Sequence, residues 1–201
     1  MNPTSAIKTA ISSAAFCLIL GAMQACQYSA VNDKRLNLFE QTNARQAAAK
    51  IKEKIGVDSV KISRIEIRQD RLEMIVQDPN KPANFDKYTY SNGAVSGPEP
   101  VESLVIGDNE FTADKAKLFS LDDINLATTS KVCQKAVERA QIENGQVDLI
   151  TIDWEYAGDL QSKAERKRGF DRDLVVAWRI WVKSPRMTKS FYADAQGNLA
   201  E

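Results

Sequence analysis

The stretch Leu174–Lys183, LVVAWRIWVK, decides the fold, because its apolar side chains recur at every second position. A period of two is typical of a β-strand that buries one face and turns the other away from the core. Arg179 and Trp181 fall on the second face. The positions predicted to face inward are Leu174, Val176, Trp178, Ile180 and Val182.

The strands on either side of this stretch follow from the same alternation. Val147–Tyr156 predicts a strand with Ile150, Ile152, Trp154 and Tyr156 facing inward, and Gly158–Asp173 reads as a charged loop. After the Ser184-Pro185 turn, Met187–Ala193 predicts another strand. A turn at Ala195–Gly197 and a short final strand at Asn198 and Leu199 complete the predicted set.

The region before residue 98 shows a similar order of elements. Asn43–Lys54 predicts a helix with Asn43 as N-cap, Gly56 as its stop and an apolar stripe at helical spacing. Val57–Ile67 then alternates, with a slip of phase near Ser63 and Arg64 that indicates a β-bulge. The remaining predicted segments are the turn Arg68–Asp70, the strands Arg71–Gln77 and Lys87–Ser91, the Asn92-Gly93 hairpin turn and a return strand from Ala94.

A second helix is predicted to run from a cap at Thr129 or Ser130 to Ile142, with Asn144-Gly145 ending it. Its apolar stripe is Val132, Cys133, Ala136, Val137 and Ala140. The connector before it is too apolar for a free linker, so we expect it to pack against both halves.

The predicted fold class is therefore α+β, with two tandem repeats. Each repeat would be a helix packed on an antiparallel meander of about four strands. The predicted division is a signal peptide at 1–25, a tether or short helical lead-in at 26–42, a first repeat at 43–97, a connector at 98–123 and a second repeat at 124–201.

The segment Met1–Cys26 has the layout of a secretory signal peptide. Lys8 precedes a run of apolar and small residues from Ala10 to Met23, which falls short of the roughly 20 apolar residues that span a membrane. Ala25 directly before Cys26 resembles a bacterial lipoprotein signal, in which the cysteine thiol receives the lipid. Such signals usually carry Leu where this chain has Met23.

The alternative is cleavage near Ala25 or Ala30, which would leave a soluble periplasmic protein. If Cys26 is lipidated, the resemblance implies the outer membrane, because Gln27 rather than Asp follows it. Cys133 lies in a helical pattern and is expected to be a buried thiol. A Cys26–Cys133 disulfide stays open if Cys26 carries no lipid.

Composition narrows the chemistry. Lys and Arg together number 27, Asp and Glu together number 27, and histidine is absent. A balanced charge gives no reason to expect nucleic acid as a partner. The lack of imidazole excludes Ser-His-Asp and Cys-His catalysis and His-ligated zinc. We expect that the protein binds no cofactor or metal and is not an enzyme. Catalysis by carboxylates alone or by a Ser-Lys pair would, however, leave no signature in the sequence.

The order of elements resembles the PepSY-like group of small extracytoplasmic domains, and the tandem arrangement is similar to beta-lactamase-inhibitor-protein-like architecture. The motifs that carry the resemblance are Tyr90-Ser91-Asn92-Gly93 and the segment Tyr192–Leu199. The resemblance implies a binding or inhibitory module that acts on envelope proteins or peptidases. It supplies no catalytic residues.

Three groups of residues are candidates for a site. A cationic loop holds Lys163, Arg166, Lys167 and Arg168, and it is either a partner-binding or lipid-facing patch or an ordinary solvated loop. Trp181 lies between Arg179 and Lys183, where it either anchors a partner or packs beneath the connector. Asp153 and Glu155 share a strand face and either mark a metal or acid–base site or pair with Arg179 and Lys183.

The function that the sequence favours is a non-enzymatic envelope lipoprotein or periplasmic protein. Its partners would be an envelope protein or peptide, which it would bind or inhibit, and the membrane through the lipid on Cys26. Two alternatives stay open: a structural accessory subunit of an envelope complex, and a histidine-independent hydrolase.

Overall fold

The computed structural model describes residues 36–101, 105–106, 109–110, 117–162, 165, 167–168 and 171–200. The predicted signal peptide and Cys26 lie outside the described residues. Within them the protein is α+β, with a mostly antiparallel arrangement of strands and few helices.

Helix α1 runs from Asn43 to Ile55 and ends at Gly56, whose N–H donates to Lys52 O at 3.0 Å. Its predicted stripe is confirmed, because Ala47, Ala48 and Ile51 are buried. Asn43 is not the N-cap. Thr42 precedes the helix, and the Asn43 side chain is buried and donates instead to Asn37 O at 2.8 Å.

Four strands follow α1 as a meander of hairpins: β1 (Lys61–Ile67), β2 (Arg71–Gln77), β3 (Phe85–Ser91) and β4 (Ala94–Pro100). The predicted bulge is confirmed between Ile62 and Arg64 in β1. β1 begins at Lys61 rather than Val57, and β3 begins at Phe85 rather than Lys87. β4 continues past Gly97 to Pro100, because Asp86 and Lys87 extend its pairing with β3.

Short elements connect the meander to the second helix. β5 (Val105–Ile106) pairs with β6 (Asn109–Glu110), and β7 (Phe119–Ser120) pairs with the start of β1. Two 3₁₀ turns follow, at Leu121–Asp123 and Leu126–Thr128, and Ser120 and Asp123 cap one another at the first. This segment contacts elements on both sides of it, since Lys52 Nζ lies 3.0 Å from Asp122 and Gln196 Nε2 donates to Asp123 O at 3.1 Å.

Helix α2 runs from Thr129 to Ala140, so it begins at a predicted cap residue and ends two residues before the predicted Ile142. Gln141 adopts the left-handed conformation and ends the helix, so Asn144-Gly145 forms a separate turn. Val132, Cys133, Ala136 and Ala140 are buried, as the stripe predicted, and Val137 is half-buried. The Thr129 hydroxyl is buried and donates to Leu126 O at 2.8 Å instead of capping the helix.

The last part of the chain contains β8 (Gln146–Tyr156), the short helix α3 (Ala157–Leu160), β9 (Leu174–Ser184) and β10 (Met187–Asp194). Two details differ from the sequence prediction. α3 occupies the start of what was predicted as loop, and Tyr156 is 48% exposed rather than buried because β8 ends there. The predicted final strand is a single bridge between Ala193 and Leu199.

All the longer strands belong to one sheet. In the described residues its order is β10-β9-β8-β1-β2-β3-β4, with β7 pairing beside β1. α1 contacts β2, β3 and β4, while α2 contacts β8, β9 and β10. The core lies between these helices and the sheet, and its largest fully buried side chains include Trp178, Leu38, Ile51, Ile65 and Ile152.

Candidate binding surface

Helices α1 and α2 pack against the same face of the sheet, and we call the opposite face the open face. Residues of β8 and β9 alternate between the two. Ile150, Ile152, Trp178 and Ile180 are fully buried on the helix side, whereas the residues between them are half-buried. The open face of β8 and β9 carries Leu149, Thr151, Asp153, Glu155, Val175, Ala177, Arg179 and Trp181.

Arg179 is the centre of an aromatic cluster on the open face. Its guanidinium carbon lies 4.9 Å from the centroid of the Trp181 ring and 5.5 Å from that of the Tyr192 ring. Both separations are within the range of a cation–π interaction. We call these three residues the Arg179 platform.

Cross-strand register explains how the platform forms. Tyr192 of β10 and Thr151 of β8 stand opposite Arg179, while Ser190 and Leu149 stand opposite Trp181. Directly opposed side chains on a sheet are close enough to interact, so β10 and β9 bring the Tyr192 ring to the guanidinium. The small Ser190 side chain leaves the outer side of Trp181 uncrowded.

Arg179 also has unused hydrogen-bonding capacity. Its Nε atom is buried and has no hydrogen-bond partner among the described residues. A guanidinium is a planar fork that suits bidentate contact with a carboxylate. The rings lie beside the guanidinium, so the platform can present a positioned cation to a ligand.

The two carboxylates that β8 carries on the open face have different environments. Asp153 accepts from Arg64 of β1, with Arg64 Nη2 at 2.7 Å and Arg64 Nε also at 2.7 Å. The partner of Asp153 is therefore on β1 and is neither Arg179 nor Lys183, contrary to the sequence prediction. The sequence missed Arg64 because it could not show that β1 and β8 are neighbours.

Burial raises the pKa of Glu155 above its usual value, and the nearby Asp159 and Asp153 carboxylates act in the same direction. Arg179 and Arg64 oppose this increase and keep the pKa from rising further. The Glu155 carboxylate therefore interacts electrostatically with Arg179 of the platform. α3, which carries Asp159, contacts both β8 and β10 near this end of the sheet.

Trp181 is half-buried and stacked on Arg179 in the open face. The described part of the connector instead places Phe119 and Leu121 in the core on the helix side. These residues therefore do not lie over Trp181. Trp154 is the tryptophan near the connector, since Lys117 Nζ lies 5.3 Å from its ring centroid.

Lys183 is exposed at the end of β9, apart from the ring cluster. It lines a groove of about 880 Å³ together with Arg68, Asp70 and Asp148. Arg68 Nη1 lies 4.0 Å from Asp148 Oδ2, at the outer limit of an ion pair. The groove therefore carries charges of both signs.

The cationic loop is described only in part. Lys163 and Arg166 lie outside the described residues, and Lys167 and Arg168 are exposed. Arg168 N donates to Glu165 O at 2.8 Å, which forms a local turn. Of these four cations, the structure therefore describes only Lys167 and Arg168, as exposed residues of a local turn.

Cys133 is a buried free thiol on α2, and burial raises its pKa to about 12. A thiol with so high a pKa is almost entirely protonated at neutral pH and reacts slowly. The buried-thiol prediction is confirmed. Pairing with Cys26 stays untested, because Cys26 is outside the described residues.

Sequence reasoning also missed Tyr192 as a site residue. A signal was present: Ser190 and Tyr192 share one phase of Met187–Ala193, which is the phase that a β9–β10 hairpin places beside Arg179 and Trp181. The sequence did not show which of the two alternating sets of β10 side chains faces away from the helices.

Among the described residues, no helix is long and apolar enough to cross a membrane. No protein-family model and no solved structure matches the chain. The chain is similar to a protein of Salmonella typhimurium (strain LT2) that is named "Probable lipoprotein EnvF", with 28% identity over 108 residues. That match covers 51% of this chain and only 40% of the length of the Salmonella protein.

Proposed function

We propose that this chain is a non-enzymatic envelope lipoprotein that binds another envelope protein or peptide through the open face of its sheet. The observation that carries the proposal is the Arg179 platform, in which the Trp181 and Tyr192 rings lie beside the Arg179 guanidinium on the open face. Tryptophan, tyrosine and arginine are the residue types that dominate binding energy in protein interfaces.

The lipoprotein part of the proposal rests on two other observations. The segment up to Cys26 has the order of a lipoprotein signal, and the similar Salmonella protein is named a probable lipoprotein. Several acyl chains anchor a protein through about 0.8 kcal/mol for each buried CH₂ group. In this proposal Cys26 is the tether, and the sheet domain is held in the periplasm on the outer membrane.

The tandem-repeat interpretation is part of the same proposal. α1 precedes the β1–β4 meander, α2 precedes β8, β9 and β10, and β1 lies beside β8 at the middle of the sheet. This order is what two related helix-plus-meander units joined side by side would give. A PepSY-like origin for each unit would explain it, and an inhibitory role would then be one form of the binding function.

The non-enzymatic role is proposed from the state of the open-face carboxylates. Asp153 is held in an ion pair by Arg64, so it is a poor candidate for a general base. Glu155 lies near two other carboxylates and two arginines. A binding surface explains this mixture of charges and rings better than a reaction centre does.

Mass spectrometry of the mature N-terminus tests the anchor. We expect a lipid-modified Cys26 and release from the membrane fraction by Cys26→Ser. An unprocessed Met1 would exclude processing, whereas a free N-terminus at Gln27 or Ser29 would exclude lipidation.

Crosslinking in intact cells tests the binding surface. The wild-type chain should form a defined crosslinked species that is lost in Trp181→Ala and Arg179→Met and kept in Lys131→Ala. Lys131 is an exposed residue on α2, so its replacement is a control for loss of a surface side chain. A species that survives both open-face variants, or no species in any sample, would contradict the proposal.

A further inference from the structure

The outer edge of β10 presents backbone groups that no described residue uses. Asp194 N donates to Asn198 O at 3.0 Å, and Ala200 N donates to Tyr192 O at 2.8 Å, so the even-numbered residues of β10 face away from β9. In an antiparallel ladder the N–H and C=O groups of one residue point to the same side, and the side alternates along the strand. Thr188 and Ser190 therefore direct their N–H and C=O groups outward.

The C-terminal tail covers only one end of this edge. Leu199 bridges to Ala193, and the Arg139 side chain donates to Ala200 O, which fastens the tail beside the last residues of β10. Residues Met187–Ser190 beyond the tail are all exposed. The C-terminal tail thus bonds to the outer edge of β10 at Tyr192 and Asp194, and the part of the edge from Met187 to Ser190 has no neighbouring strand among the described residues.

The two edges of the sheet differ in their protection. β4 carries Pro98 and Pro100, which have no N–H to offer a new strand, and prolines are a common way of blocking an edge. β10 has no proline from Met187 to Asp194. Strand addition is therefore favoured at β10 over β4.

The chemistry of the edge selects the occupant. Lys183, Arg186 and Lys189 lie within Lys183–Ala193, a segment without Asp or Glu, and Arg179 stands one strand further in. The Lys189 ammonium already donates to Ala140 O at 2.7 Å, whereas Arg186 is exposed in the turn before β10 and Lys183 lies on β9 together with Arg179. An acidic strand next to β10 would therefore meet Arg186 and the two β9 cations. A second copy paired through β10 would instead bring like charges together, which is destabilising on opposed strands.

We propose that β10 is a strand-addition site that takes an extended, acidic segment of the envelope partner. The partner strand would lie in line with the C-terminal tail and bond to the N–H and C=O groups of Thr188 and Ser190. Its open-face side chains would pass over Ser190 and reach Trp181 and Arg179. This inference rests on the proposed function and specifies how the partner binds.

Hydrogen–deuterium exchange on the full chain, purified in detergent, tests the site with a defined probe. The probe is the acetylated and amidated peptide TVEVDVT, and its charge-reversed counterpart TVKVKVT is the control. We expect the acidic peptide alone to slow exchange at the amides of Thr188 and Ser190. The same peptide N-methylated at alternate residues should lose the effect, since it cannot pair along its backbone.

Protein variants separate edge pairing from binding to the face. Ser190→Pro removes an outward N–H without removing a bond to β9, so we expect the dissociation constant to rise about ten-fold, whereas Ser190→Ala should change it less than about two-fold. Thr188→Pro is a second variant should Ser190→Pro disturb the fold, and circular dichroism checks the fold of each.

Three results would overturn the strand-addition site. Equal protection by both peptides, or by neither, excludes an acidic strand at β10. Binding that is lost in Trp181→Ala and unchanged in both proline variants leaves the open-face function standing and removes the edge. Protection that rises with protein concentration without peptide, together with a dimer mass, makes a second copy the occupant. The crosslinking test of the open face remains independent of all three.

Discussion

Two tryptophans of one strand show how the two faces of the sheet differ. Trp178 is fully buried against the helices, and its ring N–H donates to Ala195 O at 3.3 Å. Trp181 is half-buried on the open face and stacks on Arg179. The same residue type thus contributes to folding at one position and is available for binding at the other.

The reason is the location of the helices. α2 covers β8, β9 and β10 from one side, so Trp178, Ile180 and Val182 of β9 leave water, while Arg179 and Trp181 on the opposite side stay half-buried. Burial of a large aromatic ring contributes most of its free energy to folding only when the whole ring leaves water. A ring that stays half-exposed retains that free energy for a partner.

The largest expected effect comes from Trp178→Ala. It should lower the free energy of unfolding by about 3–5 kcal/mol, because it leaves a large cavity in the core and removes the hydrogen bond from the ring to Ala195 O. The matched variant Trp181→Ala should cost about 1 kcal/mol, the value of a partly exposed cation–π contact. Urea unfolding followed by circular dichroism measures both, and equal losses would abolish the distinction between the faces.

Gly197→Ala should have the next largest effect. Gly197 has φ +81°, and an added Cβ would lie 2.9 Å from Val132 Cγ2 on α2, so we expect a loss of about 2 kcal/mol. Gly93 has φ +84° in the β3–β4 turn with open space around it, and Gly93→Ala should cost about 1 kcal/mol from the backbone alone. Thermal unfolding that ranks Gly93→Ala as the more damaging variant would contradict packing of the Gly197 turn on the covered side.

A smaller effect is expected from the ion pair on the open face. The side chains of Arg64 and Asp153 are 48% and 24% exposed, so a double-mutant cycle with Arg64→Met and Asp153→Asn should give a coupling of about 0.2–1 kcal/mol. A coupling of about 3 kcal/mol or more would indicate a buried pair, and the open face would then be far less accessible than the structure indicates.

The smallest effect concerns the pH dependence contributed by Glu155. Its pKa in the folded protein is raised from 4.5, mainly by burial, so the folded state binds the proton more tightly than the unfolded state. Its contribution to stability therefore falls as pH rises from about 4.5 through the folded pKa, and the full cost is present above that range. Glu155→Gln should remove this dependence.

The measurement is the melting temperature between pH 4 and pH 8. Relative to the wild type, Glu155→Gln should gain stability as the pH rises. Glu138→Gln on the exposed side of α2 changes the net charge equally and should not show the same trend. A Glu155→Gln curve that runs parallel to that of the wild type would place Glu155 in water rather than in the desolvated part of the open face.

Much of the fold was accessible from local patterns. The bulge near Ser63, the strand Arg71–Gln77, the Asn92-Gly93 turn and the stripe of α2 follow from periodicity and turn chemistry, and each is confirmed. The errors lie at ends of elements, as with Val57, Tyr156 and Ile142. A helix or strand ends where no neighbouring segment offers a further hydrogen-bond partner, and a local sequence pattern does not contain that information.

The candidate site was predictable only in part. Trp181 and Arg179 were identified from their phase in β9, and the structure adds that Tyr192 completes the cluster. The predicted partners of Asp153 were wrong, because its actual partner, Arg64, lies 89 positions away in the sequence. Long-range pairing of strands is what joins these residues, and alternation within a single strand does not specify the next strand.

The sequence by itself determined the alternation that divides each strand into two faces, the two amphipathic helices and the absence of histidine. These are properties of single segments, fixed by which side chains leave water and by backbone preference. The tertiary structure decided that β1 lies beside β8, that both helices cover the same face and that the C-terminal tail covers only part of the β10 edge. Those outcomes depend on contacts between distant segments, so the open face, the Arg179 platform and the exposed edge exist only in the assembled sheet.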